Sequence, residues 1–133
     1  MFRKLVFLLL CLLAFSAVAC SGDPEIGPPL EGEVADLAET FIANLDNEDY
    51  AGAVAFFNAE MKRAMSERKL KQTWEGLNKQ MGPYLGEVEK EVLQVEDHEV
   101  VNVLSDFEKD HLIIRVVFDG DNRVAGLWFL PVD

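Results

Sequence analysis

Apolar positions along this chain change rhythm twice. Leu5 to Phe15 form an almost unbroken apolar run behind Arg3 and Lys4 and ahead of the small residues Ala17, Val18 and Ala19. From Val34 to Met81 apolar residues recur every three or four positions, and from Val88 to Leu130 they alternate or fall in β-branched runs. The first regime predicts an export leader, the second a set of amphipathic helices and the third a set of strands.

Val34, Leu37, Ala38, Phe41, Ile42 and Leu45 lie on one stripe of a helix that ends near Asn47, with an acidic opposite face. After the break at Asn47, Glu48 and Asp49, the positions of Tyr50, Ala53, Val54 and Phe57 predict a second, shorter helix stopped by Asn58. Met61, Ala64 and Met65 extend or restart it. Ser66 is then an N-cap, and Leu70, Trp74, Leu77 and Met81 make the clearest helix of the chain, stopped by Gly82 and Pro83.

Four strands are predicted beyond it: Val88 to Val95, Val100 to Phe107, Leu112 to Phe118 and Val124 to Leu130. Asp119, Gly120, Asp121 and Asn122 supply a hairpin turn, and short acidic breaks separate the other strands. Helices first and consecutive strands after them specify an α+β domain, with the N-terminal helices packed on a four-stranded antiparallel sheet. In the third strand both faces are apolar: Ile113 and Val117 on one, Leu112, Ile114, Val116 and Phe118 on the other. One of these faces is therefore available as a dimer surface or a pocket wall.

The leader run is shorter than the about 20 residues a membrane span needs. Its close, Ala17-Val18-Ala19 followed by Cys20, resembles a bacterial lipoprotein signal, in which the cysteine is acylated and becomes the new N-terminus. Ala17 stands where that pattern prefers Leu, and the same residues satisfy ordinary signal cleavage, so secretion into the periplasm or medium is the alternative. Residues 1–19 read as the signal, 20–31 as a lipidated cysteine and a flexible linker rich in Gly and Pro, and 32–133 as a single domain. Cleavage leaves about 114 residues, enough for one core. Cys11 departs with the leader, so Cys20 is the sole mature cysteine and no internal disulfide forms.

Composition narrows the partners. The net charge of −12 becomes about −14 once Arg3 and Lys4 are removed, and such a surface repels nucleic acid and anionic headgroups. Membrane contact is therefore expected through the lipid on Cys20, at the cell membrane or the outer membrane. No metal or cofactor is expected. Glu96, Asp97, His98 and Glu99 are adjacent rather than spaced to converge on an ion, and Asp119, Asp121 and Asn122 lack the closing Glu of a calcium loop. An isomerase-type site needs a carboxylate in an apolar cavity facing a Tyr or a neutral acid. Asp49, Asp106, Tyr50 and Tyr84 are the available types, yet both acids fall near element ends, and no catalytic set is assigned. Lys62, Arg63, Arg68, Lys69 and Lys71 concentrate the basic charge, as the wet face of a helix does. Trp74, Tyr84, Phe118 and Trp128 are the expected lining of a ligand cavity, with His111 pointing into it from a strand end.

The segments Phe56 to Tyr84, with Met61, Leu70, Trp74 and Gly82, and Val116 to Pro131, with Gly126 and Pro131, resemble a bacterial extracytoplasmic lipoprotein family of unknown function. The resemblance spans roughly Val34 to Val132 and implies a cystatin-like, nuclear-transport-factor-two-like cone. Members of that family often stand in front of an α/β-hydrolase. No G-x-S-x-G elbow occurs in this sequence, so hydrolase activity is expected only from a separate partner. The resulting expectation is a lipid-anchored module binding a small apolar ligand, a peptide or an envelope protein. A small lyase or isomerase, and a structural lipoprotein acting as a homodimer, are the alternatives. If Cys20 carries the anchor, Cys20→Ser releases the protein from the membrane fraction; retention of the variant after signal removal refutes the anchor.

Overall fold

The computed structural model describes residues 26–132; the expected leader, residues 1–19, and the expected anchor Cys20 lie outside the described residues. Four helices, α1 (Val34–Asp46), α2 (Tyr50–Val54), α3 (Ala59–Ala64) and α4 (Glu67–Met81), precede four strands, β1 (Tyr84–Val95), β2 (His98–Phe107), β3 (His111–Phe118) and β4 (Val124–Pro131). The strands form an open antiparallel sheet in the order β1-β2-β3-β4, with the helices against one face. The architecture is the expected α+β arrangement. Among the described residues no helix is long and apolar enough to cross a membrane.

The helix stripe of α1 buries Val34, Ala38, Phe41, Ile42 and Leu45, and α4 adds Leu70 and Trp74. These meet the inner face of the sheet, where Val101, Val103, Ser105 and Phe107 of β2 alternate with outward residues, and Val101 pairs with Val116, Val103 with Ile114 and Ser105 with Leu112 of β3. Trp74 is only 4% exposed, with its ring 5.6 Å from Tyr84, 6.0 Å from Phe107 and 6.2 Å from Phe129. Ser66 caps α4 by accepting from Lys69 N at 3.2 Å. At its other end Gly82 takes φ 82°, and a Cβ there would fall 2.6 Å from Glu108 Cβ, so the turn between helix and sheet requires glycine.

The element boundaries that differ most from expectation are the end of α2 and the start of β1. Asn58 does not stop a helix; it starts one, accepting from Met61 N at 2.9 Å as the N-cap of α3, while α2 ends at Val54. The chain at Phe56 to Asn58 is instead drawn out against β4, with Val124 N donating to Phe56 O and Asn58 N donating to Val124 O. This pairing replaces helical bonds and covers part of the β4 edge. β1 begins at Tyr84 rather than Val88, because Asn78 Oδ1 accepts from Tyr84 N at 2.8 Å and holds the strand start against the end of α4.

The β3–β4 hairpin also binds the segment that precedes α1. Arg123, 5% exposed, donates Nη1 to Ala55 O and Nη2 to Pro28 O, both at 2.7 Å. Asn122 Nδ2 donates to Leu30 O at 3.0 Å, and Leu30 N donates to Asp121 O at 3.0 Å. The C-terminal part of the expected linker, from Pro28 onward, is thus stitched to the folded domain. Removing the central aromatic of the core in Trp74→Ala is expected to lower unfolding stability by about 3–5 kcal/mol. A denaturation midpoint equal to that of the unaltered protein would show Trp74 to be peripheral.

Candidate functional site

Strand register sorts the outward side chains of the sheet into rows. Leu93, Val100, Val117 and Gly126 are cross-strand neighbours in one row. Glu91, Asn102, Arg115 and Trp128 make the next, and Glu89, Leu104, Ile113 and Leu130 the one after. Among the described residues no helix covers these rows: they belong to the face opposite α1 and α4. The second apolar face of β3, anticipated from Ile113 and Val117, is this outer face.

A groove of about 730 Å³ runs along it towards the β1–β2 turn, lined chiefly by Leu93, Val95, Val100, Val117, Trp128 and Leu130, with Arg115, Glu96 and His98 as its charged or titratable members. Its volume falls in the range of small-molecule sites. Trp128 is 50% exposed. Its ring lies over Gly126, where a Cβ would come within 2.6 Å of Cη2, so the missing side chain at 126 is what lets the indole fold down as a groove wall. Arg115 Nε donates to Asn102 Oδ1 at 2.8 Å, and Asn102 Nδ2 donates to Glu91 Oε2 at 3.3 Å, which orients the guanidinium within the row.

The structure does not bring the five expected ligand residues together. Trp74 and Phe118 are packed in the interior, Phe118 fully buried. Tyr84 sits half-buried at the inner edge of the same core. Trp128 faces outward, and so does His111, whose Nε2 lies 3.5 Å from Asp106 Oδ1 on the exposed sheet face. His111 faces out by simple alternation along β3, and Trp128 does so because of a β-bulge. Register shifts between Val117 and Phe118, so that Val117 pairs with Gly126 but Phe118 with Val124, leaving Ala125 extra. The bulge resets the alternation: Val124 enters the core while Gly126, Trp128 and Leu130 turn out. Sequence reading missed Leu93, Val95, Val100, Arg115 and Leu130; a lone Arg115 inside an otherwise apolar strand was the available signal.

On the inner side, two smaller clefts of about 290 and 210 Å³ border Tyr84, the second also touching Tyr50 and Trp74. Their rims are acidic, with Glu39, Asp46 and Glu87 at the first and Glu48 and Glu75 at the second. Burial, followed by the nearby carboxylates of Asp46, Glu87 and Glu39, pushes the Tyr84 phenol up to about 12, against a lowering hydrogen bond with Ser105. Burial, then Glu75 and Glu48, also raises Tyr50, whose buried Oη has no hydrogen-bond partner among the described residues. Asp49 caps α2 through Gly52 N at 2.9 Å, and Asp106 belongs to the outer face, so neither carboxylate faces these phenols. His98 bonds Asp97 Oδ1 at 2.9 Å beside the groove. Among the described residues no cluster of three His, Cys, Asp or Glu is placed to hold a metal.

A family model described as "Protein of unknown function (DUF3887)" matches residues 38–127, most of the chain. The chain belongs to the DUF3887 family. The match runs from Ala38 in α1 to Leu127 in β4, and so takes in the helices, the meander and the bulge. Beyond DUF3887 itself, the chain is 23% identical over 104 residues to Esterase EstD of Thermotoga maritima, a stretch that is 78% of this chain and 25% of the esterase. The chain thus spans about a quarter of the length of that curated relative. No solved structure matches the chain.

The raised Tyr84 phenol carries a pH dependence of known sign. Between pH 10 and about 12 the unfolded tyrosine releases a proton that the folded one retains, so stability present below pH 10 declines as pH rises through that window. Chemical-denaturation midpoints are expected to hold level up to pH 10 and fall above it, with a smaller fall in Tyr84→Phe. An equal fall in both proteins would remove Tyr84 as a source.

Proposed function

We propose that this domain is an extracytoplasmic binding module, held at a membrane by lipid on Cys20, and that its outer-face groove receives an apolar ligand or the apolar segment of an envelope partner. The observation that carries the reading is the groove itself: about 730 Å³ of mostly apolar space on a sheet face that no helix among the described residues covers. An apolar ligand losing about 200 Å² of surface there gains roughly 5 kcal/mol before ordering costs, which supports weak to moderate affinity without any chemistry. The filled interior supports binding at the outer face over catalysis in a cone. Similarity to a stretch of an esterase supports a role beside a catalytic unit, and a catalytic partner fits the same reading. The finer resemblance, to lipoproteins with a cystatin-like, nuclear-transport-factor-two-like domain, belongs to this proposal too.

A second reading, a homodimer through the same face, is favoured by the exposed apolar side chains Leu93, Val95 and Trp128. Oligomeric state separates the two. For the binding reading, Trp128→Ala is expected to weaken uptake of an environment-sensitive apolar dye by about tenfold, as loss of a groove-wall aromatic does. Unchanged dye affinity in a folded Trp128→Ala protein overturns the assignment of the groove.

A further inference from the structure

Within the groove one side chain contrasts with both its surroundings and the chain as a whole. Arg115 is the sole arginine or lysine of the lining, set beside Val117 and Leu130 in a protein of net charge −12. Its Nε is committed to Asn102, and among the described residues its Nη groups donate no hydrogen bond. Arginine stays charged under all physiological conditions, and its planar fork matches a carboxylate with two parallel hydrogen bonds. Deepening the groove reading, and resting on it, we propose that the ligand is a single-chain amphiphile with a monoanionic carboxylate head, a medium-chain fatty acid in chemical class. The head pairs with the Nη edge of Arg115. The tail runs over Val117, Val100 and Leu93 towards Val95, along the Trp128 ring.

The geometry sets the tail's length. From the row of Glu91 to Val95 the strand advances about 13 Å, the reach of a medium-chain acyl group. Charge sets the head. The acidic surface repels a multiply charged head such as a phosphate monoester, whereas a single carboxylate is neutralised by the one cation it meets. Glu96, at the turn end of the groove, lies beside the tail's far end and disfavours a ligand reversed in direction.

The test compares three probes of equal chain length, decanoate, decanol and decyltrimethylammonium, by calorimetric titration of the full chain below their micelle concentrations. Decanoate is expected to bind at least about tenfold tighter than decanol, a difference of about 1.4 kcal/mol, and the ammonium probe weakest. Arg115→Met brings decanoate down to the level of decanol and leaves decanol unchanged, Arg115→Lys keeps part of the preference, and Trp128→Ala weakens both probes together. Equal binding of decanoate and decanol to the unaltered protein overturns the carboxylate assignment while the groove reading stands. Binding of none of the three overturns the groove reading as well. A dimer in sedimentation that Trp128→Asp converts to monomer makes a second copy the occupant, and overturns the proposal in that way.

Discussion

Burial of one sheet face under the helices is the constraint on which the rest of this molecule depends. A sheet of four strands offers two faces, and α1 with α4 supplies apolar stripe enough for one. Phe41, Phe57, Trp74, Phe107 and Phe118 fill the space between them, all nearly or fully withdrawn from water. Among the described residues, close packing of this kind fills the layer between helices and sheet with side chains. The acidic clefts beside Tyr84 are the margins of that packing, and their carboxylates act on the two tyrosines by charge rather than by contact.

The β3–β4 hairpin is the point where several distant segments meet. Asp119 accepts from Asp121 N, Arg123 N and Asn58 Nδ2, which shapes the turn and ties it to the start of α3. Arg123 reaches the end of α2 and the segment before α1 at once, and its burial is tolerated because two carbonyls receive its charged donors. The same hairpin carries the bulge at Ala125. One irregular turn therefore fastens the N-terminal segment, shields part of an edge strand and decides which side of the sheet Trp128 occupies.

What the outer face does follows from being left over. Strands buried on one side alone ordinarily put polar residues on the other, and β1 does so with Glu89 and Glu91 before Leu93 and Val95 join the apolar surface. β2, β3 and β4 depart from that rule with Val100, Leu104, Ile113, Val117 and Leu130, interrupted by one oriented arginine. An apolar surface of this extent is costly to leave in water unless something else is bound there, which is the physical basis for placing function on this face.

Much of this was readable in the residues themselves. The periods of three to four and of two located α1, α4 and the four strands, the cap at Ser66 and the stop at Gly82, because local hydrogen bonding and amphipathicity are properties of short stretches. The doubled apolar character of β3 announced an uncovered face. Trp128 could not be placed that way, since strict alternation puts it on the side of Val124, and only a bulge formed in pairing with β3 reverses it. Asn58 has the same side chain whether it ends a helix or begins one; its contacts with Val124 and Asp119, which lie over sixty residues away, selected the second. Whether an aromatic lines a cavity or fills it depends on the volume its neighbours occupy, a quantity that exists only once helices and sheet have met. So the elements and the fold class were determined by sequence, while the side of the sheet that remains open, and the side chains standing on it, were decided by long-range packing.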